Sequence, residues 1–274
     1  MSSSAVPNSA PKRLQGKVAV ITGSLSGIGR AIALAYHREG CTVVCSDISS
    51  NNAEELQTHE IISKEGGTTT FCKADVSQTD DMKALVQTAV DKYGRIDIFV
   101  NNAGIAPEGQ HPAPIWDTDE STWDQVLSVN SRGVFLGTKY ASRQMIEQDP
   151  LPSGSRGRII NVASIAGLRG FGMAASYIAS KHSVCGLTKA AAIDCAPYGV
   201  QVNALCPGFV ETPLINEAPF IQDATIRGAL FARHAFRGIG KPDYIANAAV
   251  FLASDENSWM TGVSLPVDGG YTCQ

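Results

Sequence analysis

The fold is decided by the stretch Thr22-Gly23-Ser24-Leu25-Ser26-Gly27-Ile28-Gly29-Arg30, which follows a short apolar run and opens a helical pattern. Glycines in this setting allow a tight turn, let backbone N–H groups approach a pyrophosphate, and let the helix pack closely on the strand. The N-terminus of that helix offers its partial positive charge to phosphate groups. The order strand, glycines, helix therefore predicts a dinucleotide site, although glycines alone also serve ordinary turns.

Outward from this stretch, short apolar runs rich in β-branched residues alternate with longer helical patterns. The predicted strands are Lys17–Thr22, Thr42–Asp47, Thr68–Ala74, Ile96–Asn101, Arg158–Ala163, Gln201–Cys206 and Val263–Val267. The predicted helices cover residues 28–39, 52–64, 79–93, 119–148, 174–196 and 242–253. Nearly continuous apolar strands separated by helices are typical of a parallel sheet covered on both faces. We therefore predict one doubly wound α/β domain with a seven-stranded parallel sheet.

The domain is expected to span residues 14–274, after a disordered tail at residues 1–13. The Pro/Gly/Ser-rich residues 149–157 are interpreted as a surface loop. Residues 210–240 form a longer irregular segment just after a strand end, where α/β sheets bind ligands. This segment and its flank carry the aromatic residues Phe209, Phe220, Phe231 and Phe236. We predict a substrate lid here; the alternative is a surface excursion whose aromatic side chains pack on the core.

Composition excludes several classes of protein. With 274 residues, 44% hydrophobic and 18% charged, the chain has the profile of an ordinary globular protein. A net charge of -4 gives no basic surface for nucleic acid or an acidic membrane. The seven cysteines form no CxxC pair and lie largely in apolar segments, so no disulfide framework and no metal site are expected. Neither a signal peptide nor a membrane span is recognisable, and a reducing, cytoplasmic location is predicted.

Asp47 ends the second predicted strand, about twenty residues after the glycines. A carboxylate there can accept both ribose hydroxyls of an adenosine and would repel a 2′-phosphate. Neither Leu25 in the glycine stretch nor Ile48 after the aspartate is a basic residue that could neutralise such a phosphate. NAD is therefore preferred over NADP. The alternative is that Asp47 ends its strand as a turn or helix cap.

The stretch Ala174-Ala175-Ser176-Tyr177-Ile178-Ala179-Ser180-Lys181 begins a long run of good helix formers. Tyr177 and Lys181 therefore lie one helical turn apart on a single face. A neighbouring ammonium stabilises a phenolate, which would lower the pKa of Tyr177 and let it move a proton near neutral pH. Taken alone, the same pair also arises by chance in many helices.

Taken together, these features resemble the short-chain dehydrogenase/reductase family over nearly all of Leu14 to Gly270. Each motif is weak alone, but they occur in the family's order on the expected elements. The matching motifs are Thr22-Gly-x-x-x-Gly-x-Gly29, Asp75-Val76, Asn101-Asn102-Ala103-Gly104, Asn130, Ser164, Tyr177-x-x-x-Lys181, Pro207-Gly208 with Thr212, and Val267-Asp268-Gly269-Gly270. The resemblance implies a Rossmann fold and an NAD(H)-dependent enzyme.

The resemblance also implies roles for four residues. Tyr177 would be the general acid in ketone reduction and the base in alcohol oxidation. Lys181 would lower the pKa of the phenol and bind the nicotinamide ribose, and Ser164 would hold the substrate oxygen. Asn130 would shape its helix and hold a water that passes protons from Lys181 to solvent. Each also has a structural alternative, such as a cap at Ser164 or a buried backbone contact at Asn130.

The remaining matches imply a cofactor site along the strand ends. Asp75 would accept from the adenine amino group, and Thr212 would reach the nicotinamide carboxamide or a phosphate. A purely structural role is as plausible for Asn101. The implied cofactor-binding residues are Gly23, Ser26, Gly27, Ile28, Gly29, Asp47, Ile48, Asp75, Val76, Asn102, Ala103, Gly104, Tyr177, Lys181, Pro207, Gly208, Val210 and Thr212.

In relatives of this kind the long helices 118–148 and 174–196 form a dimer surface and residues 266–271 form a second one, which implies a homotetramer or a dimer.

The substrate pocket is expected between residues 106–114, 165–173 and the lid. These stretches have few fixed charges, which favours a fairly apolar secondary alcohol or ketone; Arg169 could clamp an acid but is more often simply solvated. The apolar candidates are Ile165, Leu168, Phe171, Met173, Phe209 and Leu214. Two alternatives remain open: an isomerase or dehydratase that works through a transient ketone, and a non-catalytic NAD(H)-binding regulatory protein.

Overall fold

The computed structural model describes residues 12–50, 56–236 and 238–274. Within these ranges, seven parallel strands form one sheet in the order β3-β2-β1-β4-β5-β6-β7. Their bounds are β1 Val18–Thr22, β2 Thr42–Asp47, β3 Thr69–Lys73, β4 Ile98–Asn101, β5 Gly157–Val162, β6 Val200–Pro207 and β7 Ser264–Val267. The predicted fold class and strands are confirmed, with ends shifted by no more than about two residues.

Helices connect the strands and cover both faces of the sheet. Their bounds are α1 Gly27–Arg38, α2 Thr58–Lys64, α3 Thr79–Tyr93, α4 Glu120–Leu127, α5 Val134–Glu147, α6 Ala175–Cys195, α7 Pro213–Asn216, α8 Pro219–Gln222, α9 Ala224–Ala232 and α10 Pro242–Ala253. On one face α1 packs on α10, where the Tyr36 hydroxyl donates to the Ala249 carbonyl at 3.0 Å. On the other face, buried Leu85 of α3 and Met145 of α5 pack beneath the sheet. Strands buried on both faces explain their nearly unbroken apolar sequences.

Two predicted segments differ from the structure. The helix predicted over 119–148 is divided into α4 and α5 by a π-helical turn, Ser128–Gly133, which contains the buried Asn130. The irregular segment 210–240 contains three short helices, because Pro213 and Pro219 each open a first turn and the Asp223 carboxylate caps α9. Segment 210–240 is therefore largely helical, and the prediction of irregular structure there is wrong.

Parts of the predicted tail and of one predicted helix lie outside the described residues. Residues 1–11 of the predicted tail and 51–55 of the predicted helix 52–64 are among those not described. Arg13, also assigned to the tail, forms an ion pair with Glu39 at 2.8 Å. The helix α2 begins at Thr58, after a capping box between Gln57 and Glu60.

The strand order reverses at β1, which pairs with β2 on one side and β4 on the other. Connections leave such a pair toward opposite faces of the sheet, so a crevice opens at the carboxyl ends of the two strands. The glycine loop follows β1 and the segment Asn102–Gly104 follows β4 at this edge. The topology therefore brings the predicted cofactor residues to one place.

Candidate active site

A cavity of about 660 Å³ occupies the crevice at the carboxyl ends of the strands. Its walls extend from Asp47 and Asp75 to Ser164, Tyr177 and Lys181. All predicted catalytic and cofactor-binding residues line it except Gly29 and Asn130. Residues that are far apart in sequence thus converge on one continuous space.

The glycine loop is fixed by close backbone approaches. Gly23 has a φ of +64°, and a side chain there would lie 2.8 Å from the Ala103 Cα. A side chain at Gly29 would collide with the Gly23 carbonyl, which explains why Gly29 contributes to close packing without lining the cavity. The Asn102 amide donates to the Thr22 and Gly23 carbonyls, both at 2.9 Å, and ties β4 to the loop.

The start of α1 is suited to phosphate groups. Ser26 is its N-cap residue, but its side chain makes no capping hydrogen bond, and no acidic residue stands in the first turn. Backbone N–H groups at such an end need partners, and the helix dipole favours an anion. Ser26, Gly27 and Ile28 all line the cavity. The residues present therefore fit the pyrophosphate of a dinucleotide.

Asp47 lies at the opposite end from Tyr177. Its Oδ2 accepts from the Leu25 N–H at 3.2 Å and its Oδ1 from the Ile48 N–H at 2.9 Å. Burial raises the pKa of Asp47 above its ordinary value, against the lowering effect of these two hydrogen bonds. The side chain is thus held by backbone donors at the cavity wall.

Asp75 lines the same end of the cavity, next to Val76. Its Oδ1 accepts from both the N–H and the hydroxyl of Ser77, at 2.9 and 2.7 Å. The carboxylate therefore closes the turn after β3 while remaining part of the wall that is predicted to face an adenine.

Asn130 anchors the loop after β4. Its Oδ1 accepts from the Ile105 N–H at 2.9 Å, and its Nδ2 donates to the Ile105 carbonyl at 2.8 Å and to the Ser180 hydroxyl at 3.2 Å. A side chain added at Gly104 would lie 3.2 Å from Asn130 Oδ1 and 3.5 Å from Lys181 Nζ. Asn130 therefore holds the backbone beside the buried amine, and Gly104 keeps the space between them open.

Tyr177, Lys181 and Ser164 meet at the other end of the cavity. Lys181 Nζ lies 5.6 Å from the centre of the Tyr177 ring and donates to the Val162 carbonyl at 3.0 Å. Ser164 follows β5, and its hydroxyl accepts from the Ala166 N–H at 3.1 Å. All three side chains lie close enough to act on one bound group.

Burial shifts the pKa values of Tyr177 and Lys181 at this end of the cavity. Burial raises the pKa of Tyr177, the Ser164 hydroxyl lowers it, and the charge of Glu108 raises it. Burial also lowers the pKa of Lys181 to about 8. Burial is thus the largest influence on the pKa of Tyr177 in this structure, and the Lys181 amine donates to the Val162 carbonyl. The lowering of the phenol pKa by Lys181 stays a prediction.

The end of β6 and segment 210–240 close the cavity. The Gly240 N–H donates to the Phe209 carbonyl at 2.8 Å, and the Glu211 N–H donates to the Gly240 carbonyl at 2.9 Å. The two ends of the segment therefore lie side by side. Its lining residues are Val210, Thr212, Pro213, Leu214, Ile215, Ile226 and Leu230. Four aromatic residues were predicted in this segment and its flank. Phe209 lines the cavity, Phe231 does not, Phe236 is exposed, and the Phe220 side chain lies outside the described part of the chain.

The sequence and fold match known proteins. Residues 23–272 match the family profile described as enoyl-(acyl carrier protein) reductase. The chain is 41% identical to the mitochondrial borneol dehydrogenase of Lavandula x intermedia, over 94% of this chain and 92% of that one. It is 39% identical to 3-oxoacyl-(acyl-carrier-protein) reductase FabG of Thermotoga maritima, over 94% and 98%. The crystal structure of a short-chain type dehydrogenase/reductase from Mycobacterium marinum has a TM-score of 0.86 at 31% identity, over 96% of this chain and 98% of that one.

The chain belongs to the short-chain dehydrogenase/reductase family. It is accordingly an oxidoreductase of CH–OH or C=O groups that uses a nicotinamide cofactor. The resemblance identified from the motifs is thereby confirmed. Among the described residues, none of the helices combines the length and apolar character needed to cross a bilayer.

Three residues of this dehydrogenase/reductase differ from the expected pocket. Leu168 does not line the cavity, and Arg169 donates to the Thr272 carbonyl near the C-terminus rather than entering the site. Glu108 lies in the predicted pocket stretch 106–114 but was not singled out there, although it is buried and lines the cavity. A signal was present, since it is the single charged residue in the otherwise uncharged stretch 106–112, between Pro107 and Gly109.

Proposed function

We propose that the protein is an NAD(H)-dependent dehydrogenase/reductase that interconverts a secondary alcohol and a ketone on a small, largely apolar molecule. The observation that carries this proposal is the single cavity that joins Asp47 at one end to Ser164, Tyr177 and Lys181 at the other. A dinucleotide bound along the strand ends brings its reactive ring to the group that moves the proton.

Tyr177 is the proton donor in ketone reduction and the acceptor in alcohol oxidation. Burial raises the pKa of Tyr177, which favours the protonated phenol that ketone reduction requires. Alcohol oxidation requires the phenolate, which the neighbouring Lys181 ammonium stabilises. Ser164 holds the substrate oxygen against the phenol, and Lys181 holds the nicotinamide ribose with its buried amine. When bound, the nicotinamide supplies the hydride donor for reduction and the hydride acceptor for oxidation.

Asn130 acts as a positioning residue in this proposal. Its hydrogen bonds to Ile105 and Ser180 fix the loop beside Lys181. The water relay from Lys181 to solvent that the family resemblance implies would run past this side chain.

The preference for NAD rests on Asp47. The carboxylate accepts the adenosine ribose hydroxyls and repels a 2′-phosphate, and the adjacent side chains Leu25 and Ile48 offer no compensating positive charge.

A cyclic secondary alcohol is the substrate class that we favour. Aliphatic and aromatic side chains, including Ile165, Phe171 and Leu214, line the end of the cavity near Tyr177. The relative from Lavandula x intermedia is named for borneol, which is a cyclic secondary alcohol. Segment 210–240 serves as the lid over this substrate.

We further propose a homotetramer, or a dimer as its smaller form, in the cytoplasm. Exposed apolar side chains on α4, α5 and α6 support an interface there: Trp123, Phe135 and Ile193 are 38%, 45% and 75% exposed. Large apolar side chains left exposed on these helices would be buried by association of two copies of the chain.

The test follows nicotinamide absorbance while the purified protein meets a panel of cyclic and acyclic secondary alcohols and ketones, with NAD(H) and NADP(H) in parallel. We expect turnover that prefers NAD(H) and that falls by about a thousandfold in Tyr177→Phe. The exposed Tyr198→Phe is the matched control. Turnover that is indifferent to Tyr177→Phe, or NADH binding without any turnover, would contradict the proposal; product formed without net cofactor consumption would indicate isomerisation.

A further inference from the structure

Glu108 is a buried carboxylate in the wall of the active-site cavity. It lies on a short 3₁₀ helix, Pro107–Gly109, in the loop after β4, and only 5% of the residue is exposed. The charged residues that line the cavity are Asp47, Asp75, Glu108 and Lys181. Asp47 and Asp75 belong to the proposed adenosine end, so Glu108 is the acidic group on the substrate side.

One carboxylate oxygen of Glu108 holds the helix that carries Tyr177. Its Oε1 accepts from the Tyr177 N–H at 3.0 Å, in the first turn of α6. First-turn N–H groups lack intrahelical partners, and the helix dipole favours a negative charge at this end. The charge is also close enough to raise the pKa of Tyr177. Glu108 is thereby fixed beside the proposed proton donor.

The other oxygen of Glu108 has no such partner. Oε2 is buried and has no hydrogen-bond partner among the described residues. By contrast, both oxygens of Asp47 accept backbone N–H groups. A buried carboxylate oxygen without a donor is costly, so such an atom indicates a donor that binds there. Because Glu108 lines the cavity, a donor bound within the cavity is the one that can approach this oxygen.

We propose that Glu108 Oε2 accepts a hydrogen bond from a second donor group on the substrate. The substrate is then a secondary alcohol or ketone that carries, near the reacting carbon, a hydroxyl or an ammonium group. This inference rests on the proposed function and narrows it, because a purely hydrocarbon alcohol would leave Oε2 unpaired. Sites built to bind a donor discriminate strongly against analogues that lack it.

The first test compares alcohols of one ring size on the wild-type enzyme with NAD. Cyclohexanol has no second group, cyclohexane-1,2-diol has a hydroxyl, 2-aminocyclohexanol has an ammonium, and 2-methoxycyclohexanol has only an acceptor. We expect kcat/KM for the diol or the amino alcohol to exceed that for cyclohexanol and the methoxy compound by about tenfold or more. Whichever of the two donors is preferred identifies the group.

The second test uses Glu108→Gln, with Glu120→Gln as the matched control because Glu120 is exposed and does not line the cavity. Glutamine retains one oxygen for the Tyr177 N–H but replaces the free oxygen by a donor. We expect the preference for donor-bearing alcohols over the methoxy compound to fall by about tenfold in Glu108→Gln and to stay unchanged in Glu120→Gln.

Two outcomes would overturn this inference and leave the proposed function standing: cyclohexanol turned over as well as the donor-bearing alcohols by the wild type, or an unchanged preference in Glu108→Gln. Should Glu108→Gln fail to fold, the wild-type comparison alone decides. Failure of the proposed function is a different result, namely no turnover of any of the four compounds while NADH still binds.

Discussion

The cavity has two unlike walls. One, which we call the framework wall, consists of the glycine loop, the segment Asn102–Gly104 and the first turns of α6. The Thr22 hydroxyl there accepts the N–H groups of both Asn102 and Ala103 at 3.1 Å, so neighbouring strand ends are locked together.

The other, the lid wall, is formed by residues 212–230. Its side chains Leu214 and Ile226 line the cavity although they are 45% and 49% exposed. A side-chain hydrogen bond connects it to the loop after β4, in which Gln110 donates to the Glu217 carbonyl at 2.8 Å. The framework wall thus requires particular residue types, whereas the lid wall, apart from Thr212, requires only apolar ones.

The largest expected effect is on the pH dependence of the free energy of unfolding, and it tests whether the Lys181 amine in the framework wall is shielded from water. The pKa of Lys181 is about 8 in the folded chain, against 10.5 for an ordinary lysine. Between these values the unfolded chain binds more protons than the folded one, so the free energy of unfolding rises with pH. The rise amounts to at most about 3 kcal/mol and is complete near the higher value.

The measurement is denaturant unfolding between neutral pH and about pH 10 for the wild type and for Lys181→Met. We expect the stability of the wild type relative to Lys181→Met to rise across this range, while Lys83→Met, at an exposed lysine, parallels the wild type. Parallel profiles for Lys181→Met and the wild type would show that the amine is solvated.

A pair of glycine substitutions compares the two walls directly. Gly29→Ala places a methyl group against the Gly23 carbonyl and should lower the free energy of unfolding by about 1–3 kcal/mol while weakening NADH binding. Gly228→Ala, in α9 of the lid wall, meets nothing within 4 Å and should raise helix stability by up to about 1 kcal/mol. Thermal unfolding and NADH titration check both. Equal losses of stability and of NADH binding in the two variants would contradict the proposed difference between the two walls.

The smallest expected effect concerns the cofactor end of the framework wall. Asp47→Ser removes the charge that repels a 2′-phosphate, and the ratio of kcat/KM for NAD over NADP should fall about tenfold, or ~1.4 kcal/mol. Asp80→Ser, at a fully solvated carboxylate, is the control and should leave the ratio unchanged. An unchanged ratio in Asp47→Ser would mean that another group selects the cofactor.

The residues of the framework wall could be predicted from the sequence because they belong to short local motifs. Gly23, Gly29 and Asn102 are required by backbone approach, and such requirements fix residue type and spacing. The strands were equally clear, since burial on both faces gives apolar runs. The π-helical turn around Asn130 was not predicted, and the partner of that side chain, Ile105, lies twenty-five residues away in the sequence.

The short helices of the lid wall and the position of Glu108 could not be predicted from local sequence patterns. The starts of α7, α8 and α9 carried signals in Pro213, Pro219 and Asp223, but the apolar spacing of such short helices is too brief to recognise. Glu108 was not singled out because its partner, the N–H of Tyr177, lies sixty-nine residues later and only the fold brings them together. The pKa of Tyr177 followed burial, which spacing alone does not reveal.

The most direct test of the central claim is a crystal structure of the protein with NAD. The proposal places the adenosine ribose against Asp47, the pyrophosphate at the start of α1 near Ser26, and the nicotinamide between Tyr177 and Thr212. That arrangement would establish one cavity serving cofactor and substrate together. A nicotinamide lying away from Tyr177, or a cofactor bound outside the crevice at the strand ends, would contradict it.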